Sequence, residues 1–162
     1  MHPRLILEKE RHMETIALVI GTTDAGTLST GHFGDSDRFA KFVLHSDGSL
    51  HEDCDVQNRS KAMDETHGAK GKMKAILTEL GPIHCLVAGQ MSPNFKRMAL
   101  QTAIQPVVVK CSDETQLMNC LCAERLRLFD LVGRRQHGER NPEIPILQAA
   151  DEFRSPSNPE RK

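Results

Sequence analysis

Two short stretches of this chain carry residue types that can do chemistry. The first is Gly31-His32-Phe33-Gly34, which lies just beyond the apolar run Ile16 to Ile20. A glycine-flanked histidine at the exit of a buried strand can present its imidazole to a ligand, while the glycines permit close backbone approach. The second is Gly89-Gln90-Met91-Ser92-Pro93-Asn94, where a capping hydroxyl precedes a proline at the first helical position. Free N–H groups and the dipole at such a helix start favour an anion; Gln90 and Asn94 can donate or accept, and Met91 is a soft thioether. Both stretches also have a plain structural reading, with Ser92 as a cap, Met91 as filler and His32 as a hydrogen-bonded surface residue. The candidate metal ligands are His32, Met91 and Cys54, the last set between Asp53 and Asp55.

Other chemistries are reduced by what the spacing lacks. Gly71-Lys72 has Thr66 where a phosphate-binding loop needs its first glycine, and Met73 where it needs Ser or Thr. His51-Glu52 is not followed by the second histidine of a zincin, and no G-x-S-x-G elbow occurs. The five cysteines, Cys54, Cys85, Cys111, Cys120 and Cys122, form no C-x-x-C clamp, which indicates free thiols. Cys120 and Cys122 point in different directions on a helix and read as packing residues. His45 and His67 read as structural or exposed, with His67 able to approach the same pocket as His32. No catalytic constellation emerges, so the reading is a non-enzyme.

The formal charge is -1, from 21 basic and 22 acidic residues, which offers no overall field for nucleic acid or anionic lipid. Lys61, Lys70, Lys72 and Lys74 make a local basic cluster, read either as solvated or as attracting an anionic partner. No run approaches the roughly 18 apolar residues of a membrane span. Glu8-Lys9-Glu10-Arg11 is unlike a signal peptide, so the expected location is cytoplasmic.

Elements must position these residues. Ile16 to Ile20 suits a strand covered on both faces, and Phe39–Leu44 and Leu50–Val56 flank Asp47-Gly48 as a hairpin. Ala69, Met73, Ile76, Leu77 and Leu80 recur at helical spacing before Gly81-Pro82. Cys85–Ala88 and Val107–Val109 are short buried strands, each followed by a helix; the second helix begins at Ser112 or Asp113 and runs long. The order predicts an α/β three-layer domain with a mixed five-stranded sheet, strand order 3-2-1-4-5, and three main helices. Winding reverses between the first and fourth strands, and ligands settle at such switch points, beyond the strand carboxyl ends. The loops there are Thr22 to Asp37 and Gly89 to Asn94. Residues 1–13 read as a charged extension, 14–133 as the domain, and 134–162 as a polar, flexible tail with Ile144 to Ala150 as its dockable part.

Ile16-Ala-Leu-Val-Ile-Gly21, Gly31-His32-Phe33-Gly34 with Asp37-Arg38-Phe39, His84-Cys-Leu-Val-Ala-Gly-Gln-Met-Ser-Pro-Asn94 and the Ile104 to Val108 strand together resemble the dinitrogenase iron-molybdenum cofactor biosynthesis family. That family includes the NifX and NafY carriers, the C-terminal domain of NifB and the small orange protein. The resemblance spans about residues 15 to 132, and its specificity comes from the joint order of short motifs. It implies a ribonuclease H-like fold and an accessory or carrier role in metal-sulfur cluster assembly, as in nitrogen fixation. The cargo implied is an iron-sulfur or molybdenum-containing cluster, transiently bound, with cluster donor or acceptor proteins as partners. His32 then corresponds to the histidine of the family's HFG motif. The alternative is a regulatory or protein-interaction module that binds no metal.

Overall fold

Strand β1 (Thr15–Thr22) is buried from Ile16 onward on both faces, as its unbroken apolar run requires. It is the centre of the sheet. The computed structural model describes residues 13–59 and 69–149. The chain before Met13 and beyond Ala149, together with Lys61 and His67, lies outside the described residues, as do the side chains of Lys70, Lys72 and Lys74.

β2 (Arg38–His45) and β3 (Leu50–Gln57) form the expected hairpin, antiparallel to each other, with β2 antiparallel to β1. The turn works through Gly48, whose φ of +100° places it in the left-handed region, and Asp47, whose carboxylate accepts from the Ser49 amide at 2.9 Å. A bulge interrupts the β2–β3 ladder between Lys41 and Phe42. Helix α1 (Ala69–Leu80) follows, then β4 (Cys85–Ala88), α2 (Pro93–Gln101) and β5 (Gln105–Lys110). β4 pairs parallel to β1 and β5 parallel to β4, as βαβ connections require.

The domain is α/β, with a mixed sheet ordered β3-β2-β1-β4-β5-β6. Five strands were expected, and among the described residues the sheet has six: β6 (Ile146–Gln148) adds parallel to β5 through Leu147, a buried residue. Among the described residues four α-helices replace the expected three, because the long last helix is divided at Glu124 into α3 (Glu114–Ala123) and α4 (Arg125–Gln136). Neither proline nor glycine marks this joint. Arg125 ties it to the distant hairpin turn by donating to the Ser46 carbonyl at 3.1 Å. The boundary expected after Gly133 falls inside α4, which runs on to Gln136 before Gly138 takes a φ of +103°.

Alternation along the strands divides the core into two layers. Ile16, Leu18 and Ile20 of β1 join Ala40, Phe42 and Leu44 of β2 against Leu117, Leu121, Leu128 and Val132 of α3 and α4. Val19 and Phe39 face the other way, onto Ile76 and Leu80 of α1 and Phe95 of α2. A one-residue slip would exchange the two layers, so the register is strongly specified. Among the described residues no helix is long and apolar enough to cross a membrane.

Two buried cations finish helix carboxyl ends. Lys41 Nζ donates to the Leu80 carbonyl of α1 at 2.6 Å. Arg135 is 1% exposed and donates to the Ala99 carbonyl of α2 at 2.7 Å, the Thr102 carbonyl at 3.2 Å, Gln105 Oε1 at 2.6 Å and the Asn141 carbonyl at 3.0 Å. Positive charge there meets the negative end of the helix dipole as well as unpaired carbonyls.

Candidate functional site

The loop leaving β1 is closed on itself. Asp37 N–H donates to the Thr22 carbonyl at 2.9 Å and Ser29 N–H to the Gly21 carbonyl at 2.9 Å, so both halves of the excursion return to the strand end. Within it, Phe33–Asp35 form one 3₁₀ turn whose first flanking residue is His32, with extended backbone at φ -68° and ψ 154°. Phe33 is the anchor. Its ring is buried against Phe39 of β2, with centroids 4.9 Å apart, and Phe95 of α2, at 6.0 Å.

Three residues outside the predicted set hold this turn. Asn58, just past β3, donates from Nδ2 to the Gly34 carbonyl at 3.0 Å and the Ser36 carbonyl at 2.8 Å. Ser36 Oγ donates to the Phe33 carbonyl at 2.8 Å. Gly21 makes room for that serine, since a Cβ there would stand 2.1 Å from Ser36 Oγ. An asparagine at a strand exit is a recognisable turn residue, but only the fold shows which turn it serves.

With Phe33 anchored, His32 is held at the surface, and its imidazole makes no hydrogen bond among the described residues. A Cβ on Gly31 would meet nothing within 4 Å, whereas one on Gly89 would lie 2.6 Å from the Ser29 carbonyl oxygen. Gly89 is therefore where the two loops touch.

The second loop divides between structure and solvent. Ser92 is buried and caps α2 by accepting from the Phe95 amide at 3.2 Å. Met91 is half-buried and packs onto the layer containing Phe33 and Phe95, the filler role. Gln90 and Asn94 are exposed, and Asn94 Oδ1 accepts from Arg97 Nη1 at 2.7 Å. Pro93 has no N–H and Phe95 gives its own to the cap, so of the first three helical residues only Asn94 retains an amide for a ligand. Lys110, at the end of β5, adds an ammonium by donating to the Gly89 carbonyl at 2.8 Å. His32, the Asn94 amide and Lys110 thus sit on or beside the pair of loops that meet at Gly89, a donor-rich and cation-bearing surface.

Cys54 does not belong to that group. It pairs with Lys41 in the open edge strand β3, four residues before Asn58, which sets it back about 13 Å along the strand. Burial, and then the charge of Asp53, raises its thiol pKa, so thiolate ligation is disfavoured. Burial is the first cause of a raised pKa at Cys85, Cys111, Cys120 and Cys122 as well. Among the described residues, no three His, Cys, Asp or Glu side chains gather where they can hold a metal ion.

No protein-family model, curated protein or solved structure matches this chain.

Proposed function

We propose that this protein is an accessory or carrier protein of metal-sulfur cluster assembly, resembling those of iron-molybdenum cofactor biosynthesis. On this reading its cargo is an anionic iron-sulfur or molybdenum-containing cluster, received from one partner and passed to another. The fold is then the ribonuclease H-like one, with β6 as an addition at its edge. The observation that carries the reading is the contact of Gly89 with the Ser29 carbonyl, which sets the His32 loop against the loop that starts α2.

The donor set suits transient holding. One imidazole can ligate, the Asn94 amide and Gln90 can donate to sulfide, and Lys110 offsets negative charge. Met91 is turned largely to packing, and Cys54 lies apart, so protein ligation is sparse. A sparsely ligated anion is held chiefly by electrostatics and is released readily, as handover requires.

Anoxic titration with a synthetic iron-sulfur cluster, followed by its charge-transfer absorption, tests this. His32→Ala is expected to weaken binding about tenfold or more, a loss of about 1.4 kcal/mol, and raised salt to weaken it further. Equal binding by wild type and variant removes His32 from the site. An absence of binding by the wild type sinks the carrier reading in favour of an interaction module. For that second reading, the eight-residue edge strand β3, which has no outer partner strand among the described residues, is the feature available to a partner strand.

A further inference from the structure

We propose that the β2–β3 hairpin carries a second, separate site, in which His45 and His51 together chelate a divalent transition-metal ion. His45 is the last residue of β2, and His51, near the start of β3, is opposite Val43. Side chains two apart on a strand share a face, so His45 stands beside Val43 on the face that His51 also occupies. The two rings accordingly lie 5.1 Å apart between centroids, with 36° between their planes.

That separation is the one a shared ion needs. Imidazole nitrogens at about 2.0–2.1 Å from one ion, with a tetrahedral angle between them, put the ring centres roughly 5 Å apart. Imidazole suits zinc, copper and nickel. The surrounding charges accommodate a cation. Asp47 is close enough for His45 to lower its carboxyl pKa, although the main causes are the Ser49 amide and hydroxyl bonded to it. Arg125 also approaches the turn at Gly48, where its Nε donates to the Ser46 carbonyl and its charge, like that of His45, acts on Asp47.

The scaffold under the pair is stiff. His45 N–H donates to the Ser49 carbonyl at 2.8 Å, and Gly48 N–H to the His45 carbonyl at 2.9 Å. Asp47 accepts from both the amide and the hydroxyl of Ser49. The backbone beneath the pair is therefore already ordered, which lowers the ordering cost of binding. Since no third His, Cys, Asp or Glu joins them among the described residues, water completes the coordination and the ion exchanges freely.

The site is independent of the proposed cargo surface. His45 pairs with Thr15 at the amino end of β1, whereas the His32 loop leaves its carboxyl end, so the length of the strand, about 25 Å, lies between them.

Nickel(II) titration by calorimetry, together with copper(II) electron paramagnetic resonance, tests the pair. Wild type and His32→Asn are expected to take up one ion with the same affinity and a two-nitrogen copper spectrum. His45→Asn and His51→Asn should each weaken binding at least tenfold. The double variant should lose the weak one-imidazole binding that each single variant keeps. Single variants within twofold of wild type, or a one-nitrogen copper spectrum in the wild type, overturn the proposal. Circular dichroism checks folding, and should His45→Asn fail that check, the exposed His51→Asn decides by itself.

Discussion

His84 shows how a single side chain stands in for backbone. Its amide donates to the Ala17 carbonyl at 2.8 Å, and its Nδ1 accepts the Ala17 amide at 2.8 Å, so the ring must be neutral to complete the pair. Burial, and then the charge of Lys41, lowers its pKa from the ordinary 6.5. The unfolded chain therefore takes up the proton first, and stability falls as pH drops below the unfolded value. Urea unfolding is expected to show a lower midpoint at about pH 5.5 than at about pH 7.5. His84→Asn, which keeps an acceptor without a titrating ring, should flatten that dependence; an unchanged slope assigns it to other groups. The same neutral, nitrogen-accepting state is invisible in the sequence, where His84 is one letter before a strand.

Among the elements, the meeting of the β1 loop with the loop before α2 is the one on which function turns. Gly89 has no turn to make; it is small because the Ser29 carbonyl oxygen occupies the place of a side chain. Backbone cannot swing aside as a flexible side chain does, so Gly89→Ala is expected to destabilise the fold by about 2 kcal/mol. A thermal melt measures this, and a midpoint equal to that of wild type refutes the close approach. The variant should also loosen the registry of His32 with α2, whose Phe95 packs on Phe33. Helix capping was more legible than loop contact. Ser92-Pro93 announced the start of α2 and Gly81-Pro82 the end of α1, both from local preference. The break at Glu124 was not, since its partner Ser46 is 79 residues away.

Across the whole molecule, Arg135 ties together segments that are separate along the chain. From α4 it reaches the end of α2, the start of β5 and the irregular segment that leads to β6, all through neutral oxygen acceptors. Burial lowers its pKa, yet guanidinium stays charged, and its cost of desolvation is met by these bonds. Arg135→Met keeps much of the volume and removes the donors. It is expected to lower stability by on the order of 3 kcal/mol, because Gln105 and the helix-end carbonyls are left buried without partners. Denaturant unfolding reads that loss, and a change under about 0.5 kcal/mol, the usual range of surface substitutions, contradicts it.

What the sequence determined by itself were those features set by local pattern. Apolar runs without alternation marked β1, β4 and β5 as strands covered on both faces, Asp47-Gly48 marked the hairpin, and the alternation of strand and helix implied an α/β layered sheet with β4 beside β1. It also singled out His32 and the Gly89–Asn94 loop by residue type. Only the tertiary structure decided which atoms meet: Gly89 against Ser29, Asn58 on the Gly34 and Ser36 carbonyls, Lys110 on Gly89, and Cys54 set apart on the edge strand. The sixth strand belongs to the same class, because three residues of modest apolarity pair with β5 only once Arg135 and Leu147 have drawn their segment onto the core. Local preference acts over a few residues of chain, whereas these contacts join segments tens of residues apart, whose proximity exists only when the whole sheet has closed around them.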